Sequence, residues 1–154
     1  MKAETPLAKP ARRKASPEEV AYLDLVRTAE ILSRPVAQLL KTADLSPAQY
    51  NVLRILRGSP DGLTCGEIAS KMVTHDPDIT RLLDRLEKRQ LISRSRSDED
   101  RRIVLARITR DGLRLLAGLD QPVRDKHRRL LGHLGRERLD ALTELLEVCR
   151  SRLD

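Results

Sequence analysis

The sequence predicts a mainly α-helical chain carrying one small β-hairpin. Apolar residues recur at helical spacing through most of its 154 residues, and successive runs open on a Ser, Thr or Asp that can cap a helix. After Leu91 the pattern changes. Ser93, Ser95 and Ser97 alternate with Arg94 and Arg96, a period of two that suits a strand, and Ile103 to Ile108 reads as its return partner.

Residues 1–16 hold Lys2, Lys9, Arg12, Arg13 and Lys14 with Pro6 and Pro10 and almost nothing apolar, so a disordered basic tail is expected. It serves either solubility or extra phosphate contacts. Ser16, Pro17 and Glu19 then open a first helix with a cap, a first-turn proline and N-terminal acids. Val20, Leu23, Val26, Ile31, Val36 and Leu40 give it an interrupted apolar face, and Pro35 is expected to kink or break it. Ser46-Pro47 repeats the cap signal for a second helix with Tyr50, Leu53, Ile55 and Leu56 on its apolar side, ending at Gly58, Pro60 and Gly62. Thr64 with Glu67 forms a capping box for a short third helix whose Ile68, Ala69 and Met72 face inward.

Asp76-Pro77 reads as the cap and first residue of a longer fourth helix. Ile79, Leu82, Leu83 and Leu86 form its buried stripe, while Arg81, Arg85 and Lys88 repeat on the same spacing around the other side. Such a helix can lie on a core while its basic face enters a major groove. In the hairpin that follows, the polar turn carries Asp98 and Asp100, both able to bond back to local amides.

Thr109 and Asp111 start a long segment with Leu113, Leu115, Leu116 and Leu119 that runs past Pro122 to Leu130 and Leu131 and is broken by Gly132 and Gly135. The last segment puts Leu139, Leu142, Leu145, Leu146, Cys149 and Leu153 on one stripe. Long flanking helices exceed what the small central unit has to cover, so they are expected to pair with those of a second chain. The expected organisation is a tail over 1–16, an N-terminal dimerisation helix over 17–44, a winged helix-turn-helix lobe over 45–109 and C-terminal dimerisation helices over 110–154.

Composition narrows the partner. The net charge is +7 with 34% charged residues, which points to a polyanion. Two tyrosines and no Phe or Trp leave no base-stacking platform for single strands or RNA, so duplex DNA is favoured. With neither a run of 18 apolar residues nor a secretory signal, no membrane partner and a cytoplasmic location are expected. Cys65 and Cys149 lack metal or disulfide spacing; Cys65, at a helix start, is either a reactive thiol or a small packed residue, and Cys149 reads as packing. His75, His127 and His133 have no spacing that makes a metal set, and there is no nucleophile with its base and no phosphate-cradling loop. No metal, cofactor or catalytic residue is expected, and an enzyme is the least favoured class.

In this order the elements resemble the MarR family of bacterial regulators, from about Glu19 to Leu153. The resemblance rests on Leu45-Ser46 with Gln49, Val52 and Leu53; Leu63-Thr64 with Glu67, Ile68 and Ala69; Thr80 to Glu87; Leu91-Ile92 with Arg94; Asp100-Arg101-Arg102; and Ile108-Thr109 with Gly112. It implies a homodimeric winged-helix regulator on a palindromic operator, a repressor relieved by a small-molecule effector. Carried over, Asp78 to Arg89 becomes the recognition helix, with Thr80 and Arg81 nearest the bases, Arg85 nearer the backbone and Arg101 and Arg102 as wing cations that Asp98 or Asp100 could hold. Lys88, Arg94 and Arg96 complete the expected DNA-binding set. Asp76 and Asp78 depart from a purely basic leading end: they are either helix caps or, for Asp78, an acceptor from cytosine N4. Tyr22 and Tyr50 are the expected lining of an effector pocket between the dimerisation helices and the DNA-binding lobe.

Two other readings stay open on sequence alone, a winged-helix module that docks an acidic protein and a non-specific basic DNA binder. The pairing of recognition-helix with wing arginines favours duplex DNA over a protein partner, since only a duplex uses both groups at once.

Overall fold

The computed structural model describes residues 15–152, so nearly all of the basic tail and Leu153 lie outside the described residues. Helix α1 spans Pro17–Lys41, α2 Pro47–Arg57, α3 Cys65–Lys71 and α4 Ile79–Lys88. Strands β1 (Ile92–Arg96) and β2 (Val104–Ile108) follow, then α5 (Arg110–Leu131), a single 3-10 turn over Gly132–Leu134 and α6 (Gly135–Arg150). The fold is mainly α with a two-stranded antiparallel wing, as expected.

The caps explain the boundaries. Ser16 Oγ accepts from the Glu19 amide and Thr109 Oγ1 from the Gly112 amide, satisfying donors that a helix start otherwise leaves without partners. Ser46 with Gln49 and Thr64 with Glu67 are complete capping boxes, each side chain answering the other residue's amide. Two expectations need correction. Of the kink or break expected at Pro35, the break does not occur: α1 continues through it to Lys41. The missing hydrogen bond is offset on the C-terminal side, where Leu40 is buried and Val36 and Leu39 pack on the core. The start of α4 also lies two residues later than predicted: Asp78, not Asp76, is the cap and accepts from the Arg81 amide, while Asp76 accepts from the Asp78 amide in the preceding turn.

The core is aliphatic. Leu40, Val52, Leu53, Leu56, Ile68, Leu86, Ile92 and Leu116 are fully buried, so α1, α2, α3, α4, β1 and α5 all contribute to it. Ile92 pairs with Ile108 and Arg96 with Val104 across the wing. Leu63, just ahead of α3, adds a short bridge to Ala106, their amides and carbonyls exchanging bonds of 3.0 and 2.8 Å, so the base of the wing is stitched to the helix-turn-helix. Gly112 lets α5 pass the hairpin: a Cβ there would sit 2.3 Å from the Leu91 carbonyl oxygen.

By contrast, the N-terminal two-thirds of α1 has no cover among the described residues. Val20, Tyr22, Leu23, Leu25, Val26 and Ile31 are 40–66% exposed, and α6 has no buried residue. Cys149, expected as packing, is exposed on the uncovered seam of α6.

Candidate nucleic-acid interface

Helix α4 separates its two jobs cleanly. Leu82, Leu83 and Leu86 are buried against the core, and Thr80, Arg81, Arg85 and Lys88 are exposed. The turn that leads into it is tied down by Asn51, whose Oδ1 accepts from the Val73 amide at 2.8 Å. At its other end Arg89 reaches back to the α1–α2 turn and donates to the carbonyls of Asp44 and Ala43. Behind the exposed face Cys65 Sγ lies 3.8 Å from Thr80 Oγ1 in a half-buried position.

The wing carries the second group of cations. Arg96, Arg101 and Arg102 are exposed, and Arg96 Nη1 donates to the Arg101 carbonyl at 3.0 Å, which stiffens the tip. Asp100 bonds back to the Arg102 amide at 2.9 Å, whereas the Glu99 amide is taken by Ser97 Oγ rather than by Asp98. Among the described residues neither Asp98 nor Asp100 forms an ion pair with Arg101 or Arg102, so the expected carboxylate hold on a wing arginine is not seen.

The side chain of Arg94 behaves differently from the other expected contacts. It turns back onto α4, donating from Nε to Glu87 at 2.9 Å and from Nη2 to Glu87 at 2.6 Å and Asp84 at 2.5 Å. Glu87 also accepts the Arg94 amide at 3.0 Å. The Arg94 bonds hold the Glu87 carboxyl below the usual carboxylate range, and the two acids raise the Arg94 pKa in return. Its guanidinium is committed to this clamp, so the geometry argues against the sequence assignment of Arg94 as a DNA contact. The signal was present in Asp84 and Glu87, an i,i+3 pair of acids on an otherwise basic helix.

The two tyrosines are not brought together. Tyr50 lines a cavity of about 240 Å³ between α2 and α5, with Arg54 and Arg57 on one wall and Asp120, Val123, Arg124 and His127 on the other. Tyr22 is 66% exposed on α1 and is not part of its lining.

The MarR family model matches residues 45–104, the segment that holds α2 to α4 and most of the wing. Over 135 residues the chain is 35% identical to the HTH-type transcriptional regulator YfiV of Bacillus subtilis, covering 88% of this chain and 82% of that one. The chain belongs to the MarR family. Among solved structures, a MarR transcription factor from Planctomyces limnophilus is 41% identical and superposes with a TM-score of 0.67 over 88% of this chain and 99% of that one. The S. aureus MepR–DNA complex is 25% identical, with a TM-score of 0.74 over 86% of this chain and 96% of that one. This MarR-family chain is thus a DNA-binding transcriptional regulator with a winged helix. No described helix is long and apolar enough to cross a membrane.

Proposed function

We propose that two copies of this chain form a homodimeric repressor on a palindromic operator, each α4 entering one of two major grooves roughly 34–36 Å apart. Support comes from one observation above all: Thr80, Arg81, Arg85 and Lys88 project from the face of α4 opposite its buried leucines, with the wing cations Arg96, Arg101 and Arg102 beside them. In this reading Thr80 and Arg81 meet base edges, Arg85 and Lys88 the backbone, and Arg101 or Arg102 a minor groove. Asp78 orders the leading turn as its cap, and Arg94 positions the wing.

The uncovered apolar residues of α1 and α6 support dimerisation through 17–44 and 110–154, with 45–109 as the DNA-binding lobe. An isologous interface there sets the spacing of the two α4 helices. The cavity on Tyr50 lies between α2 of the lobe and α5 of the dimerisation part, where a bound small molecule changes the angle between them. An effector does so only through unequal affinity for the two arrangements.

In vitro selection against random duplex DNA at physiological salt tests the reading. The expected product is a palindrome with half-sites one turn apart. Binding without an enriched sequence refutes sequence-specific regulation, and a nearly flat dependence of affinity on salt moves a protein partner ahead of DNA.

A further inference from the structure

We propose that Arg89 is a positioning residue that fixes the angle of α4 to α1, and with it the half-site spacing the regulator accepts; this rests on the dimeric reading above. Arg89 closes the C-terminal end of α4, and its guanidinium crosses to the turn after α1. There Nη1 donates to the Asp44 carbonyl and Nη2 to the Ala43 carbonyl at 3.3 Å. Two nitrogens of one planar group on successive carbonyls define a direction as well as a distance, which a single ammonium does not. The grip is on the main chain, since the Asp44 carboxylate is 95% exposed and 3.9 Å away.

Both ends of this contact are rigid. The α1–α2 turn is closed by the Asp44 amide on the Lys41 carbonyl and the Leu45 amide on the Leu40 carbonyl, each at 3.0 Å, and Leu40 and Leu45 are buried. On the α4 side, the Gln90 carbonyl accepts from Thr109 Oγ1 at 2.7 Å and the Leu91 carbonyl from the Thr109 amide at 3.0 Å. Asp44 (φ 55°) and Gln90 (φ 59°) are the non-glycine residues with left-handed backbone among the described residues. Side chains tolerate that conformation where the surroundings over-determine it, and both lie at this junction. The packing of α4 is mainly on α2, α3 and β1, inside the DNA-binding lobe, and Asn51 ties its leading turn to α2. Its far end is instead held by the end of α1 through Arg89 and the start of α5 through Thr109, so a tilt of those helices is passed to α4. One base pair of extra spacing moves a half-site by about 3.4 Å and turns it by about 35°. A clamped α4 cannot follow that displacement, and a released one can.

The test is fluorescence anisotropy of the full chain on duplexes carrying the selected half-site once, or twice as a palindrome at the selected spacing and at one base pair more and less. Mis-spacing forces the duplex to deform, so wild type is expected to lose about ten-fold or more in affinity per base pair, and Arg89→Met about three-fold or less. Affinity for the single half-site and the slope of log affinity against log salt should not change, because Arg89 touches no phosphate. Arg89→Gln, too short to span both carbonyls, should relax the spacing in the same way, and Asp44→Asn, which keeps the carbonyl, should discriminate as wild type does. Each comparison is a ratio between duplexes on one sample, so loss of folded protein cancels. Wild-type discrimination retained in both Arg89 variants overturns the inference, as does a reduced salt slope on the single half-site, which would make Arg89 a phosphate contact. A wild type without any spacing optimum removes the dimeric reading and the role of Arg89 with it, whereas a sharp wild-type optimum that the variants leave intact removes the role of Arg89 alone.

Discussion

Replacing Arg94 by Met removes the guanidinium from the clamp while keeping most of the side-chain length. Three of its bonds to Asp84 and Glu87 are lost, and two carboxylates are left facing each other without their shared cation. The side chains involved are 27% (Arg94), 46% (Asp84) and 37% (Glu87) exposed, so the pair lies between the surface and the buried limits. Exposed pairs contribute roughly 0–1 kcal/mol and broken buried ones cost about 3–5 kcal/mol, which places Arg94→Met at about 2 kcal/mol. For a chain of this size that is a fall in Tm of about 4–8 °C, compared at equal protein concentration. Combined with Glu87→Gln in a double-mutant cycle, urea unfolding should give a coupling of about 1 kcal/mol. The pH dependence follows from the lowered Glu87 pKa. A depressed carboxylate stabilises fully above its unfolded value of about 4.3, and its contribution is lost as pH falls through the lower folded value. The urea midpoints of wild type and Glu87→Gln should therefore run parallel from pH 8 to 5 and converge in more acidic solution. DNA binding supplies the decisive contrast. A residue that positions the wing without touching phosphate leaves the slope of log affinity against log salt unchanged, whereas a phosphate contact lowers it by about 0.9. An Arg94→Met protein of wild-type stability with a reduced salt slope would refute the clamp and restore Arg94 to the DNA.

On the DNA face, Arg81→Ala is expected to cost about 1–3 kcal/mol and to relax sequence preference, while Arg102→Ala costs affinity almost uniformly across sequences; binding arrays of single-base operator variants check both. Gly112→Ala pushes a Cβ to 2.3 Å from the Leu91 carbonyl oxygen and 2.7 Å from Ile108 Cγ1, so urea unfolding should show a loss of about 2–3 kcal/mol. Thr64→Ala removes the capping box of α3, with an expected loss of about 1 kcal/mol by the same measurement.

The helices were legible in the sequence because their ends are chemically marked. Ser16, Ser46, Thr64 and Thr109 each hold the amide expected of a cap, and the leucine stripe of α4 is buried as its spacing requires. Local signals failed where a decision depended on atoms distant in sequence. Pro35 has the residue type of a helix breaker, yet the packing of Leu40 and its neighbours outweighs the lost bond. The Asp76-Pro77 pair has the composition of a helix start, but the chain uses it to build the turn before one. Arg94 sits among serines and arginines that look alike in one dimension, and only the fold of β1 back onto α4 brings it to Glu87 and Asp84. The bridge from Leu63 to Ala106 and the reach of Arg89 to the α1–α2 turn carry no local mark at all. The cavity is a similar case: Arg54 and Arg124 are 70 positions apart in the chain.

The Arg94 clamp bears on how the binding preference of such a chain can be rewritten. Of the ten residues in α4, Leu82, Leu83 and Leu86 belong to the core, Ile79 packs against it, and Asp84 and Glu87 hold the hairpin. On the proposed reading of α4, that leaves Thr80, Arg81, Arg85 and Lys88 as the alphabet available for a new operator. A graft of a foreign recognition helix that ignores the two acids would detach the wing along with the old preference. The transferable unit is therefore α4 with β1, exchanged together or altered only at those four positions.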